Sequence, residues 1–529
     1  MLFSVQSILV ASTTASCFLS AVSAAPNWGF TSKSSKNTKA SSNSVVNQTT
    51  CNGETYVYQE LAGYGYIASN ARDKYGDTIG GIGSSIAIDK KSWKKKGKSY
   101  TGILWALPDR GWNTEGTLNF QNRVHKIAIT LTPNSSATVS NPSGPNLQLK
   151  YLDTVLFTDP HGVPMSGLDA SPDGPYLTYP GYKTDVPSTN FTGNGFGGSG
   201  PGGRRAVLDS EGLVLNSDGS FWVSDEYGPY VYRFSASGRM TAAIRPPDAF
   251  IPLRNGSESF SADSPPLYDL NETVIPEDNP TGRDNNQGFE GLTISPDGKT
   301  LSVLIQSALN QEGGLKSKTR KYARLVQYSL THGTPQYIHE YVVPLPQYPT
   351  STKIAAQSEI HALSDSQFLI LARDSNSGRG QDSTESVYRH ADIFDISNAT
   401  DVKGAANDCY DCSIASTSGV LNDGITTAQY CSFLDFNVNS QLERFGVHNG
   451  GAQDSGLLNE KWESLALVPV DGNGADGEYF LFSLSDNDFI TQDGYLNFDR
   501  FQYKDSSGYD LLNQALVFKV KLPKGVTPS

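Results

Sequence analysis

The chain has 529 residues, with 54 acidic against 41 basic side chains and a formal net charge of −13. That balance excludes a nucleic-acid partner, because phosphate backbones are read by basic stripes. The one basic run, Lys90-Lys91 with Lys94-Lys95-Lys96 and Lys98, falls in a short polar turn and reads as a solvated loop.

Residues 1–24 carry no charged side chain, hold a broken apolar core around Ile8–Ala11 and Cys17–Leu19, and end in Val22-Ser23-Ala24. Such a stretch reads as a signal peptide. Ser and Thr interrupt it well short of the roughly 18 apolar residues that a membrane span needs. The tail, Leu522–Ser529, has no hydrophobic segment of the lipid-anchor kind. The sequence therefore predicts a secreted protein, in the medium, the cell wall or a vacuole, with no membrane span. Residues 25–50, rich in Ser, Thr, Asn and Lys, read as a flexible linker, and residues 51–529 as one large domain.

Removing the leader also removes Cys17 and leaves Cys51, Cys409, Cys412 and Cys431. In an oxidising compartment four cysteines favour two disulfides, with three possible connectivities. A redox pair or half a zinc site at Cys409-x-x-Cys412 is the weaker reading, because no second CxxC accompanies it. Glycosylation sequons stand at Asn47, Asn134, Asn190, Asn255, Asn271 and Asn398, all in loop-like sequence.

Beyond Cys51, short Val, Ile, Leu, Tyr and Phe runs alternate with Gly, Asp, Asn, Ser and Pro clusters, an all-β signature. One unit recurs: a Glu, a strand, a turn (Asp-Gly in the clearest copies), and a second strand ending in polar residues. It begins at Glu211, Glu290, Glu359 and Glu463, and a degenerate copy begins at Ser84-Ser85 and ends at Asp109. Repeated small antiparallel sheets are the mark of a β-propeller. The steps between copies, 79, 69 and 104 residues, exceed the about 40–50 of a bare blade, so long insertions lie between strands. A further blade from residues 56–68 closing against the C-terminal strand gives six, within a range of five to seven.

In a hairpin the start of strand one and the end of strand two lie side by side. Glu211, Glu290, Glu359 and Glu463 therefore share one rim with Asp225, Glu226, Arg373, Asp374, Asp486 and Asp488. Radial packing brings these rims together. Clustered carboxylates repel and need a balance. Either a hard cation such as Ca²⁺ or interleaved Arg110, Arg373 and Lys461 supplies it. The plainer alternative is that each acid binds a neighbouring backbone N–H and locks the blades. No G-x-S-x-G and no H-E-x-x-H occurs, which disfavours a serine hydrolase elbow or a zincin.

The phrases Asp209–Leu213, Trp222–Tyr230, Asn286–Leu301 and Ser483–Phe489 resemble the "esterase-like activity of phytase" family. The resemblance spans about residues 60–520 and implies a propeller acting on phosphoric esters. On that reading Glu211, Glu290, Glu359, Glu463 and Arg373 are catalytic. Asp225, Glu226, Asp374, Asp486 and Asp488 hold Ca²⁺, and Arg110 and Lys461 bind a small, possibly phosphorylated, ester substrate in a monomer. Two rivals stand beside it: a Ca²⁺-dependent lactonase or carboxyl-esterase, and a non-catalytic extracellular binding propeller.

Overall fold

The computed structural model describes residues 45–529 except 525 and 527. The signal peptide, Cys17 and most of the Ser/Thr-rich linker lie outside the described residues. Residues 47–50 do not belong to a linker: Asn47–Cys51 is a strand, paired antiparallel with the start of Glu54–Ile67. Asn52 and Gly53, both at positive φ, make the turn between them.

Five antiparallel sheets follow. Blade I is Ser85–Ile88, Ser99–Leu107, Arg123–Leu131 and Leu147–Leu156. Blade II is Ser210–Leu215, Phe221–Asp225, Val231–Phe234 and Met240–Ile244. Blade III is Phe289–Ile294, Thr300–Ile305, Tyr322–Ser329 and Gln336–Pro344. Blade IV is Ala356–Ala362, Gln367–Arg373, Arg389–Asp395 and Gln429–Asp435. Blade V joins Ala466–Pro469, Glu478–Asp486 and Asn513–Lys521 to the N-terminal strand Glu54–Ile67, with Asn47–Cys51 outermost.

The described residues thus hold five blades, not six. The strand expected to found a sixth pairs with Asn513–Lys521 and completes the sheet that Glu463 opens. Chain ends that close a propeller are used up in finishing a blade. The disulfide Cys51–Cys431 ties the outermost strand of blade V to that of blade IV, and Cys409–Cys412 closes a short loop. Of the three connectivities open to four cysteines, this is the one adopted.

Apolar cores lie between adjacent sheets. Leu213, Phe221 and Val223 pack with Leu107 and Val124 between blades I and II. Leu292, Val303 and Ile360 serve blades III and IV, and Leu104, Ile127, Phe482 and Val517 join blade V to blade I. The five inner strands surround a channel of about 730 Å³ lined by Ile86, Leu213, Leu292, Ile360 and Leu465. The up-and-down topology then places the start of each first strand and the end of each second strand at one mouth. The long connections 108–122, 157–209, 245–288, 374–388, 436–460 and 487–512 leave strand ends at that same mouth. Trp112, Phe120, Phe196, Phe489 and Tyr503, drawn from several of them, form an apolar cluster of their own.

Glu359 crosses the channel. Its carboxylate accepts hydrogen bonds from Ser85 Oγ of blade I (2.5 Å), the Leu292 amide of blade III (3.1 Å) and the Ile360 amide (2.9 Å). Burial pushes its pKa up to about 8, and the three hydrogen bonds pull it down only in part. A raised folded-state pKa means that protonated Glu359 adds stability below about pH 4.5, and that this is lost as pH rises through about 8. Glu359→Gln is therefore expected to gain in melting temperature on wild type across that window; a gap unchanged with pH contradicts this. Removing Cys51–Cys431, which spans 380 residues, is expected to cost about 2–4 kcal/mol in denaturant unfolding, and Cys409–Cys412 less.

Candidate functional site

Why do the inner strands carry Glu-Gly pairs? In blades II and III the register shifts between Ser210 and Leu213 and between Phe289 and Leu292, so each strand holds one extra residue there. Such a bulge re-aims a side chain, and Glu211 and Glu290 sit in it. The glycines that follow let the next blade approach. A Cβ on Gly212 would meet Leu292 Cβ at 2.4 Å, and one on Gly291 the Ile360 amide nitrogen at 2.6 Å. In blade IV the bulge falls between Gln357 and Glu359, ahead of the glutamate. A shift of one residue turns a side chain to the other face, which is why Glu359 spans the channel instead of joining the rim.

The rim carries eight carboxylates from four blades and their connections: Asp109, Asp209, Glu211, Glu226, Glu290, Glu463, Asp486 and Asp488. Seven of them are buried, and Asp488 is the most open. Two triads stand out, each with oxygens within 4.8 Å of one another: Asp209, Glu211 and Glu226, and Asp109, Asp486 and Asp488. Three basic groups answer them. Lys461 Nζ lies 2.7 Å from Asp486 and 2.9 Å from Asp488. Arg373 is paired with Glu463, and Arg110 Nη1 lies 3.2 Å from Asp209.

That leaves carboxylates in excess, and their proton affinity reflects it. Burial, followed by repulsion from Glu290, Glu226 and Asp209, holds Glu211 well above the usual carboxylate range. Burial and then Glu226 and Glu463 do the same to Glu290. Burial, then Asp486, lifts Asp109. Several oxygens also lack a hydrogen-bond donor: Oδ1 of Asp209, whose Oδ2 has only the Arg110 ion pair, Oε1 of Glu226 and Oε2 of Glu290. The other Glu290 oxygen accepts from Gln306. Unpartnered buried oxygens are costly in a folded protein and mark a place for a cation or a proton.

The structure brings together Glu211, Glu226, Glu290, Glu463, Asp486, Asp488, Arg110, Arg373 and Lys461 as the sequence predicts. It does not free Asp225 or Asp374 for a ligand. Asp225 accepts from the amides of Asp209, Tyr227 and Gly228, each at 3.0 Å, so it fixes the turn that carries Glu226. Asp374 accepts from Ser386 Oγ and the Val387 amide, both at 2.6 Å. Both are polar pins of loops, as the plainer alternative had it. The basic groups expected to clamp substrate are engaged by acids of the rim. His361 lines the channel away from both triads.

Two members, Asp109 and Asp209, are not among the rim acids that the sequence predicts. Asp109 closes the degenerate first copy at the place where Asp486 closes the last, a signal masked by the missing glutamate at Ser84-Ser85. Asp209 precedes the bulge by two residues and belongs to no repeated position. Among the sequons, Asn47 and Asn190 lie on strands and not in loops, and Asn134 is half-buried; the other five are exposed.

The family described as "Phytase-like: Esterase-like activity of phytase" matches residues 78–489. An "Uncharacterized secreted protein" of Arthroderma benhamiae is 60% identical over 466 residues, covering 85% of this chain and 90% of its own. Among solved structures, a luciferin-regenerating enzyme aligns at 11% identity and a TM-score of 0.27, over 87% of this chain and 98% of its own. A gluconolactonase from Xanthomonas campestris aligns at 8% identity and 0.24, over 89% and 91%. At such scores these two carry no functional argument. Among the described residues no helix is long and apolar enough to cross a membrane. The match over residues 78–489, together with the 60% identical relative, makes the chain a member of the esterase-like activity of phytase family.

Proposed function

We propose that the chain is a secreted, Ca²⁺-dependent hydrolase of ester bonds whose chemistry sits on the acidic rim. The observation that carries this is the group of buried carboxylate oxygens without donors on Asp209, Glu226 and Glu290. Family membership supports an esterase-type activity. Secretion is supported by the leader, by two disulfides and by the name of the relative.

An all-oxygen donor set suits a hard cation that takes six to eight oxygen ligands. Asp209, Glu211 and Glu226 would hold it. A calcium ion bound there supplies positive charge and Lewis acidity to the ester. Glu290 would take the proton from water once a bound cation has drawn its raised proton affinity down: Gln306 holds one oxygen and the other has no donor. Glu463 is held by Arg373, and Glu359 by its three donors, so neither is free for that role.

The charge of the site bears on the substrate. Arg110, Arg373 and Lys461 are already paired with rim acids. None of the three is therefore left unpaired to clamp an anionic group. A phosphate dianion would have to compete with rim acids for these groups, whereas an uncharged ester would not. We therefore favour a lactone or carboxylic ester over the phosphoric ester that the family's description brings to mind.

Hydrolysis of an aryl acetate, a lactone, an aryl phosphate and phytate, with Ca²⁺ and with chelator, tests this. Turnover of the uncharged esters is expected to require Ca²⁺ and to fall about 10²-fold or more in Glu290→Gln. Phosphate release in preference would reverse the substrate choice. A melting temperature raised by Ca²⁺ without turnover of any ester would leave a binding propeller.

A further inference from the structure

The two triads at the rim both offer carboxylates only, three Asp in one and an Asp with two Glu in the other, and they differ in what fills them. Around Asp486 and Asp488 a single ammonium, Lys461 Nζ, is bound at 2.7 Å and 2.9 Å, with Glu463 at 3.8 Å. The third member, Asp109, is tied down by donors of its own loop: the Gly111 amide at 3.0 Å and Asn113 Nδ2 at 3.2 Å. Around Asp209, Glu211 and Glu226, Arg110 alone among the described residues comes within ion-pair distance, at 3.2 Å from Asp209 Oδ2, and Asp209 Oδ1 and Glu226 Oε1 remain without donors. Asp209 and Glu226 are 1% and 2% exposed.

We infer that Lys461 is a built-in cation occupying the second of two carboxylate seats, so that the protein takes one Ca²⁺, at Asp209–Glu211–Glu226, and not a pair. This rests on the cation reading proposed above and fixes the number and place of the ions. A lysine ammonium is a compact point charge. Contacts of 2.7–2.9 Å with two carboxylates are only slightly longer than the 2.3–2.6 Å of Ca²⁺–oxygen bonds. Calcium entering the same seat would have to expel it. Lys461 is placed for this by its short strand, Lys461–Trp462, which pairs with the end of Glu478–Asp486 so that Lys461 faces Asp486 in register. Trp462 beside it is fully buried and anchors the strand. The lysine is therefore held by the fold and is not a mobile surface chain.

Calcium titration of the full chain by calorimetry, with equilibrium dialysis to count ions, separates the possibilities. Wild type is expected to bind one Ca²⁺. Asp486→Asn is expected to keep that one, and Asp209→Asn to lose it. Lys461→Met, which keeps the length of the side chain and removes its charge, is expected to bind two. A melting curve shows whether this variant folds; if it does not, the Asp486→Asn and Asp209→Asn pair still decides the matter. Two ions in wild type, one of them lost in Asp486→Asn, overturns the inference. So does a folded Lys461→Met that binds one ion. No ion in wild type overturns the cation reading itself, and this inference with it.

Discussion

The mutual repulsion of carboxylates gathered in a largely buried place governs this molecule. Eight of them meet at one mouth of the channel, with Arg110, Arg373 and Lys461 as counter-charges. Burying one unpaired charge is expensive, and burying several together is more so. Part of the excess is relieved by raised proton affinity, as at Glu211 and Glu290. A bound cation relieves more of it and at the same time makes a reactive centre. Raised proton affinity alone does not mark the site, since burial also lifts Glu359 and Asp225; what sets the rim apart is its oxygens without donors. Asp225, with three amide donors, shows what a carboxylate that serves only the fold looks like here.

The propeller imposes that convergence through its repeat. Each blade delivers the start of its first strand and the end of its second to the same mouth, and the bulges at Glu211 and Glu290 aim those side chains at the rim. Glycine at 212 and 291 allows the adjacent inner strand to pass within van der Waals reach. Ser224 then stitches the blades, its hydroxyl accepting from the Gly212 amide and donating to the Glu290 carbonyl, each at 2.6 Å. The same local sequence thus builds the ring and loads it with charge.

Much of this was legible beforehand. The Glu-strand-turn-strand repeat gives the fold class, and the hairpin argument puts the acids on one rim. What could not be read were features that depend on a single residue of register or on contacts distant in sequence. Glu359 looks like its fellows in the repeat, yet a bulge placed ahead of it sends its carboxylate across the channel to Ser85. Asp374 lies beside Arg373 at a strand end, and only the fold brings Ser386 and Val387 to saturate it. The extra blade came from counting the N-terminal strand apart from the sheet that it completes. One available signal was passed over: Asn52-Gly53 between two β runs marks the hairpin that makes Asn47–Cys51 a strand.

The central claim is that a cation belongs among Asp209, Glu211 and Glu226, and anomalous diffraction from a crystal grown with Ca²⁺ tests it most directly. The account predicts one strong peak within bonding distance of those three carboxylates and an ammonium, without a peak, at Lys461. A map with no peak at the rim, or with its peak at Asp225 or Asp374, would contradict it.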